Sequence, residues 1–322
     1  MNTNHAPIVV GIRDPEREDT LMSYAVAAAL AEGRDLRLVH AVHPIVGAGG
    51  PGAMVVDYDI AQQIADEIIR RAVSRVRHLL EQAGAPETVH VVGVTLRGSA
   101  VDALVQEGRD ADRVVLMRRQ LARLHRIATG SVSNGVAARS SVPVVIVPEA
   151  WTPSSTAVGP GSFRVVVGLH GGTHRDQYDE GLVEQGFAQA VRHDGTLGFL
   201  HAWYLPSMYD DAIVDRTSRN EWSEREGRRI QAALEPWTRR HQSVPTDVQV
   251  VHLPAGDALV EASRHASLLL LGRHGPGRPF PHLGSVTRAV LREAHCPVEI
   301  VPAEVAAEPE NLPVNNVTAA AS

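Results

Sequence analysis

The chain has 322 residues, 44% of them apolar and 21% charged, a length that supports two domains of ordinary size, each with its own core. A formal net charge of −6 and an aromatic content of 4% supply neither the basic footprint nor the stacking surface of a nucleic-acid binder. No apolar run is long enough for a membrane span and the first residues lack a leader pattern, while the lone Cys296 excludes an internal disulfide or a cysteine metal cluster; a cytoplasmic protein with Cys296 on a buried strand is expected.

In chain order, Ile8 to Ile12 is a short β-branched run, after which Leu21, Tyr24, Ala25 and Ala28 recur at helical spacing until Gly33 stops the helix. A second strand over Leu36 to Val42 leads into a long helix, its apolar face read as Ile60, Ile64, Ile68, Ala72, Val76 and Leu79, ending at Gly84. Val89 to Val94, a helix over Val101 to Gly108, Val114 to Met117, a helix after Gly130 and Val144 to Val147 bring the predicted strands to five. Glu149 to Ser162 is rich in Pro, Ser, Thr and Gly and reads as a linker. Five further strands follow near Arg164 to Leu169, Leu197 to Ala202, Val248 to Leu253, Leu268 to Leu271 and Val298 to Val301. The tail from Ala303 to Ser322 carries no apolar period and is expected to be disordered.

The second set of strands is a copy of the first. Val101-Asp102-Ala103-Leu104-Val105 recurs as Gly256-Asp257-Ala258-Leu259-Val260, and Val114 to Leu116 keeps the same offset against Leu269 to Leu271. Gly130-Ser131-Val132 against Gly284-Ser285-Val286, and Pro143 through Pro148 against Pro297 through Pro302, match at an offset one shorter, so one residue is missing between Leu271 and Gly284. The expected organisation is a first domain over 1–148, a linker over 149–162, a second domain over 163–302 and a tail over 303–322. Continuous Val, Ile and Leu runs fit strands covered on both faces by helices, so each copy is expected to be a doubly wound, Rossmann-like α/β domain with a five-stranded parallel sheet and its ligand site beyond the carboxyl ends of the strands.

Leu271-Gly272-Arg273-His274-Gly275, continuing to Gly284-Ser285-Val286-Thr287 and into a helix, carries the chemistry of an anion site. Glycines at a strand end let backbone approach phosphate oxygens, a helix N-terminus points N–H groups at the same anion, and Ser285 and Thr287 would add hydroxyl donors. This arrangement resembles the universal stress protein signature of Gly, two residues, Gly, nine residues, then Gly-Ser or Gly-Thr, with a last strand opening on Pro-Val as Cys296-Pro297-Val298 does. The resemblance spans both copies, from Ile8 to Pro148 and from Phe163 to Pro302. It implies the adenine-nucleotide α-hydrolase-like form of the fold, ATP as ligand with Mg²⁺ on its phosphates, a role in the stress response without dedicated catalysis, and a pairing of the copies through Val144 to Val147 and Val298 to Val301 that makes the chain a pseudo-dimer, with a further homodimer allowed.

The two copies depart from the signature differently. In the second, eight residues rather than nine separate Gly275 from Gly284; in the first the spacing before Gly130-Ser131 is kept, but Met117 and Gln120 replace the first two glycines and are expected to crowd a nucleotide. Members of the family that bind ATP carry an Asp after the first strand, matched by Asp14 in copy one and replaced by His170 in copy two, while Ala41 and Ala202 match the position whose backbone faces adenine. The implied nucleotide residues are thus His170, Ala202, Gly272, Gly275, Gly284, Ser285, Val286 and Thr287 in copy two, and Asp14, Ala41, Gly130, Ser131, Val132 and Ser133 in copy one. Copy two ranks as the better site, because a missing glycine obstructs phosphate directly whereas His170 still hydrogen-bonds. Arg118, Arg119, Arg123 and Arg126 make the first loop basic, either as a solvated face or as substitute anion donors.

Other constellations are weaker. Among 16 histidines, the pairs His40 with His43 and His170 with His174 lack nearby cysteine or a clear carboxylate set, and His40 and His201 occupy equivalent strand positions, which favours structural roles over metal. No serine sits in a G-x-S-x-G elbow. His170-Gly171-Gly172-Thr173-His174 has the wrong spacing for the His-x-x-His motif of adenylyl transfer. The remaining alternative to a nucleotide sensor is an interaction scaffold of the same fold that has lost its ligand. Protein partners are not written in the sequence.

Overall fold

A computed structural model of the chain describes residues 6–42, 58–85, 89–118, 132–152, 161–169, 179–204, 216–273 and 283–303. The first repeat runs β1 (Ile8–Gly11), α1 (Asp19–Glu32), β2 (Leu36–Val42), α2 (Tyr58–Gln82), β3 (Val91–Arg97), α3 (Ala100–Gly108), β4 (Arg113–Arg118), α4 (Val132–Arg139) and β5 (Val144–Pro148). The second runs β6 (Arg164–Leu169), α5 (Glu180–Arg192), β7 (Thr196–Trp203), α6 (Arg216–Arg240), β8 (Thr246–His252), α7 (Ala255–Ala262), β9 (Leu268–Gly272), α8 (Ser285–Glu293) and β10 (Val298–Val301). Most linker positions and nearly all of the tail lie outside the described residues.

The strands form one 10-stranded sheet in the order β3-β2-β1-β4-β5-β10-β9-β6-β7-β8. Every pairing within a repeat is parallel, as their apolar runs require, and the repeats join at an antiparallel β5–β10 pair. Its register sets Val145 against Glu299 and exchanges Val144 and Ile146 with Ile300 and Val298. Val145 and Glu299 are equivalent positions and Val144 and Ile146 each face the other's equivalent, so a local two-fold passes through the Val145–Glu299 pair. The expected pairing through the last strands holds, and it covers both apolar edges.

The cores divide by face. On one side α3, α4, α7 and α8 cover a single cluster that runs through both repeats, from Val114, Val136 and Ile146 to Leu269, Val290 and Ile300. On the other, α1 and α2 pack over Leu21, Met22, Val76 and Leu80, while α5 and α6 pack over Phe187, Phe199, Ile230 and Leu234. Cys296 is buried as expected, although it precedes β10 rather than lying in it, and burial pushes its thiol up to about 12.

The face of α2 differs from the sequence expectation. Ala65, Ile69, Ala72, Val76 and Leu80 are buried, whereas Ile60 and Ile64 are 52% and 56% exposed. Residues four apart advance about 40° around a helix, so Ile60 through Val76 sweep about 160° and cannot all face one sheet. The buried stripe stays on it because one step of three, from Ile69 to Ala72, turns it back by about 60°.

Candidate functional site

In the second repeat the strand order turns around β6, with β7 on one side and β9 on the other. The connections leaving β6 and β9 cross to opposite faces, which opens a crevice beyond the carboxyl ends of these strands. Gly272 closes β9 opposite Val301, and the Arg273 N–H extends that pairing by donating to the Val301 carbonyl at 2.7 Å. A Cβ on Gly272 would meet Asp179 Oδ2 at 3.2 Å and Leu182 Cδ2 at 3.4 Å. Asp179 caps α5, its carboxylate accepting from the Leu182 N–H at 3.2 Å, so the bare backbone at Gly272 lets this cap close over the end of β9.

The end of the crevice with the chemistry to accept an anion is the start of α8. Gly284 is its N-cap, extended at φ −60° and ψ 164°, with no side-chain cap. The first N–H groups of a helix have no acceptor within it and point outward along the axis, where the aligned peptide dipoles favour negative charge. Ser285 and Val286 stand exposed at this end, but Thr287 is buried. Two positions beyond Ser285 the helix has turned about 200°, which carries Thr287 toward the core with Val290 and Leu291. Thr287 is thus less open to the crevice than Ser285, which the sequence treated alike as a hydroxyl donor. Ala202 lies at the end of β7 in register with Val251, along the same strand-end edge. His201 before it is buried, and that burial holds its imidazole below the ordinary range, in keeping with a structural role.

The first repeat is arranged differently. Met117 is buried in the core over α1 and does not crowd the strand end, because its side chain takes the direction that Gly272 leaves open to Asp179 and Leu182. Val132 is exposed at the start of α4, and the Ser133 hydroxyl donates to the Met117 carbonyl at 3.2 Å, tying helix to strand rather than facing a ligand. Asp14 holds the turn after β1, accepting from the Glu16 N–H at 3.2 Å, while the Arg13 and Asp14 N–H groups donate to buried Glu18 at 2.9 and 3.2 Å. Ala41 lies one residue before the end of β2, opposite Leu96, and His40 Nδ1 lies 2.9 Å from the Ile12 carbonyl, linking the ends of β2 and β1.

Gly130, Ser131, His170 and Gly275 lie outside the described residues, as do Gln120, Arg119, Arg123, Arg126, His43 and His174. Among the described residues no group of three or more His, Cys, Asp or Glu side chains is placed to hold a metal ion.

Two arginines were missed or misread. Arg118 was a candidate anion donor, yet its guanidinium donates to the carbonyls of Leu291 at 3.0 Å and Ala294 at 2.9 Å, on the last helix of the other repeat. Arg273, directly after Gly272, donates to Ala137 at 3.4 Å, Ala138 at 3.0 Å and Ser140 at 2.7 Å at the end of α4. The available signal was their equivalent placement in the two copies. A cavity of about 380 Å³ opens at the seam beside Arg118, Trp151, Arg264, Arg292 and His295. Its arginines are engaged, Arg264 with Glu261 at 3.0 Å and Arg292 with Glu293 at 2.7 Å, which offsets the positive charge an anion would need.

Two doubly wound units with an uncapped helix N-terminus at a strand-end crevice define the class, a tandem Rossmann-like α/β protein. The model of the universal stress protein family matches residues 5–148 and 164–302, and the chain belongs to that family. Universal stress protein Rv1996 of Mycobacterium tuberculosis is 28% identical over 310 residues, 90% of this chain and 93% of that protein. Universal stress protein Rv2005c of the same organism is 26% identical over 298 residues, 90% of this chain and 95% of that protein. Among solved structures, a universal stress protein from Archaeoglobus fulgidus aligns with a TM-score of 0.63 at 16% identity, over 92% of this chain and 96% of that one. At these identities the structural likeness bears on the fold alone.

Proposed function

We propose that the protein is a stress-response regulator that binds an adenine nucleotide, ATP, in its second repeat and has no dedicated catalytic chemistry. The observation carrying this reading is the start of α8, with Gly284 extended, no side-chain cap and Ser285 exposed, on the crossover that leaves β9 at Gly272. Phosphate oxygens accept from the N–H groups of Ser285, Val286 and Thr287 and from the Ser285 hydroxyl, and the adenine lies toward Ala202 and His170. When bound, Mg²⁺ neutralises phosphate charge, held chiefly by the phosphates. Binding then biases a conformational or assembly equilibrium in proportion to the difference in affinity between its states.

Ser285→Pro tests the donor set. Proline fits the first position of a helix, and the extended Gly284 before it suits a following proline, so the fold is retained while one N–H and the hydroxyl are removed. Titration calorimetry with ATP and Mg²⁺ should give one site per chain in the wild type and a loss of about tenfold or more in the variant, with each group contributing on the order of 1 kcal/mol. Unchanged affinity in the variant would place the ligand elsewhere. The engagement of Ser133 with Met117 favours a second reading for the first repeat alone, as a scaffold half without ligand. A stoichiometry of two would refute it.

A further inference from the structure

Arg118 and Arg273 occupy equivalent positions, Arg118 as the last residue of β4 and Arg273 directly after the end of β9, and the side chain of each reaches out of its own repeat. Arg118 holds the carbonyls of Leu291 and Ala294 at 3.0 and 2.9 Å; Arg273 holds those of Ala137 and Ser140, the equivalents of Leu291 and Ala294, at 3.4 and 2.7 Å, and Ala138 at 3.0 Å. The exchange is therefore symmetric about the seam. The acceptors belong to the C-terminal turns of α8 and α4, where carbonyls lack helical partners and the dipole favours a cation. Arg118 reaches two of them with two nitrogens of one planar fork, a grip that fixes the direction of the helix as well as its charge.

The other end of α8 is the proposed anion-binding end, and the other end of α4 is its equivalent in the first repeat. With nine residues, α8 is about 13 Å long, too short to bend appreciably between its cap and its N-terminus. We propose that Arg118 and Arg273 are positioning residues that make the two repeats one binding unit: each strand end is anchored on the last helix of the other repeat, so that Arg118 of the first repeat fixes α8, whose N-terminus completes the anion site of the second. The site of the second repeat is then incomplete without the first, since Arg118 sets the helix that receives the phosphates and α4 holds Arg273 beside Gly272. Occupancy of one strand end is transmitted through a rigid helix and a two-pronged cap to the other. This inference rests on the nucleotide reading for its ligand, and on the exchange of caps for its mechanism.

The test uses the full chain as wild type, Arg118→Met, Arg118→Lys and Arg273→Met, with hydrogen–deuterium exchange measured without ligand and calorimetry with ATP and Mg²⁺. Arg118→Met, a change in the first repeat, should raise exchange selectively over 284–294 in the second, and Arg273→Met should raise it over 132–142 in the first. ATP affinity should fall about fivefold or more in Arg118→Met, a loss in the range of site-to-site coupling, and Arg118→Lys should recover part of it because it keeps the charge and loses the fork. If Arg118→Met does not fold, the intermediate affinity and exchange of Arg118→Lys carry the same decision. Exchange changes confined to the substituted repeat, or spread evenly over both as a plain loss of stability, would overturn the proposal, as would unchanged ATP affinity. A wild type that takes no ATP would end the nucleotide reading, and the ligand-free exchange would still decide the exchange of caps.

Discussion

His193 shows how a single residue ties stability to pH. It closes α5, its ring stacked on Phe163 with centroids 4.0 Å apart at 18°. Burial first, then the positive charges of Arg113 and Arg192, push its imidazole down to about 4. The folded state thus disfavours protonation relative to the unfolded chain. Its contribution is fully present above the ordinary imidazole range and is lost as the pH falls from about 6.5 toward 4. Glu299 works in the opposite sense, since burial raises its carboxyl against the opposing pull of Arg113, so comparison of variant with wild type isolates the histidine. His193→Phe, which keeps the stack, should lose less Tm than the wild type between pH 7 and pH 4.5 in a series of thermal melts. Parallel curves would show that the imidazole carries none of the acid sensitivity.

At the scale of elements, charge at the seam distinguishes the two repeats. Arg113 at the start of β4 is buried and pairs with Glu32 of α1 at 2.6 Å and Asp112 at 2.8 Å, while Arg192 of α5 approaches Glu32 at 3.5 Å from the other repeat. Glu299 in β10 is fully buried, accepts from Gln185 and from Gln189 at 2.8 Å, and interacts electrostatically with Arg113. The equivalents of Arg113 and Glu299 are Leu268 and Val145, so the first repeat brings a buried Arg113–Glu32 pair to the seam and the second brings the buried Glu299. Arg113→Met removes from Glu32 its nearest cation and from Glu299 the charge that opposes its burial, and should cost roughly 3 to 5 kcal/mol in denaturant unfolding. A cost below about 1 kcal/mol would mean that water reaches these carboxylates.

For the whole molecule, the sheet is continuous and the core under α3, α4, α7 and α8 contains residues of both repeats. Neither half keeps that core when the seam opens. The repeats should therefore unfold together, in one calorimetric transition whose van't Hoff and calorimetric enthalpies agree, and Arg113→Met should lower it as a unit. Two transitions, only one of them shifted, would show that the seam does not couple the halves.

Much of this fold was legible in the sequence. The repeat offset, the Val, Ile and Leu runs and the glycine that ends α1 at φ 62° are local signals, set by steric and periodic rules that act within a few residues. They placed Arg164 to Leu169 and Val298 to Val301 on strands with the bounds observed, and put Gly272 and Ser285 at one strand end. Side-chain direction was decided by tertiary packing: Met117 turned into the core, Thr287 turned inward, and Ile60 and Ile64 left the buried stripe. The exchange of Arg118 and Arg273 between repeats was equally beyond reach of the sequence, because hydrogen bonds between residues 173 and 176 positions apart exist only once β5 and β10 have brought the two copies edge to edge.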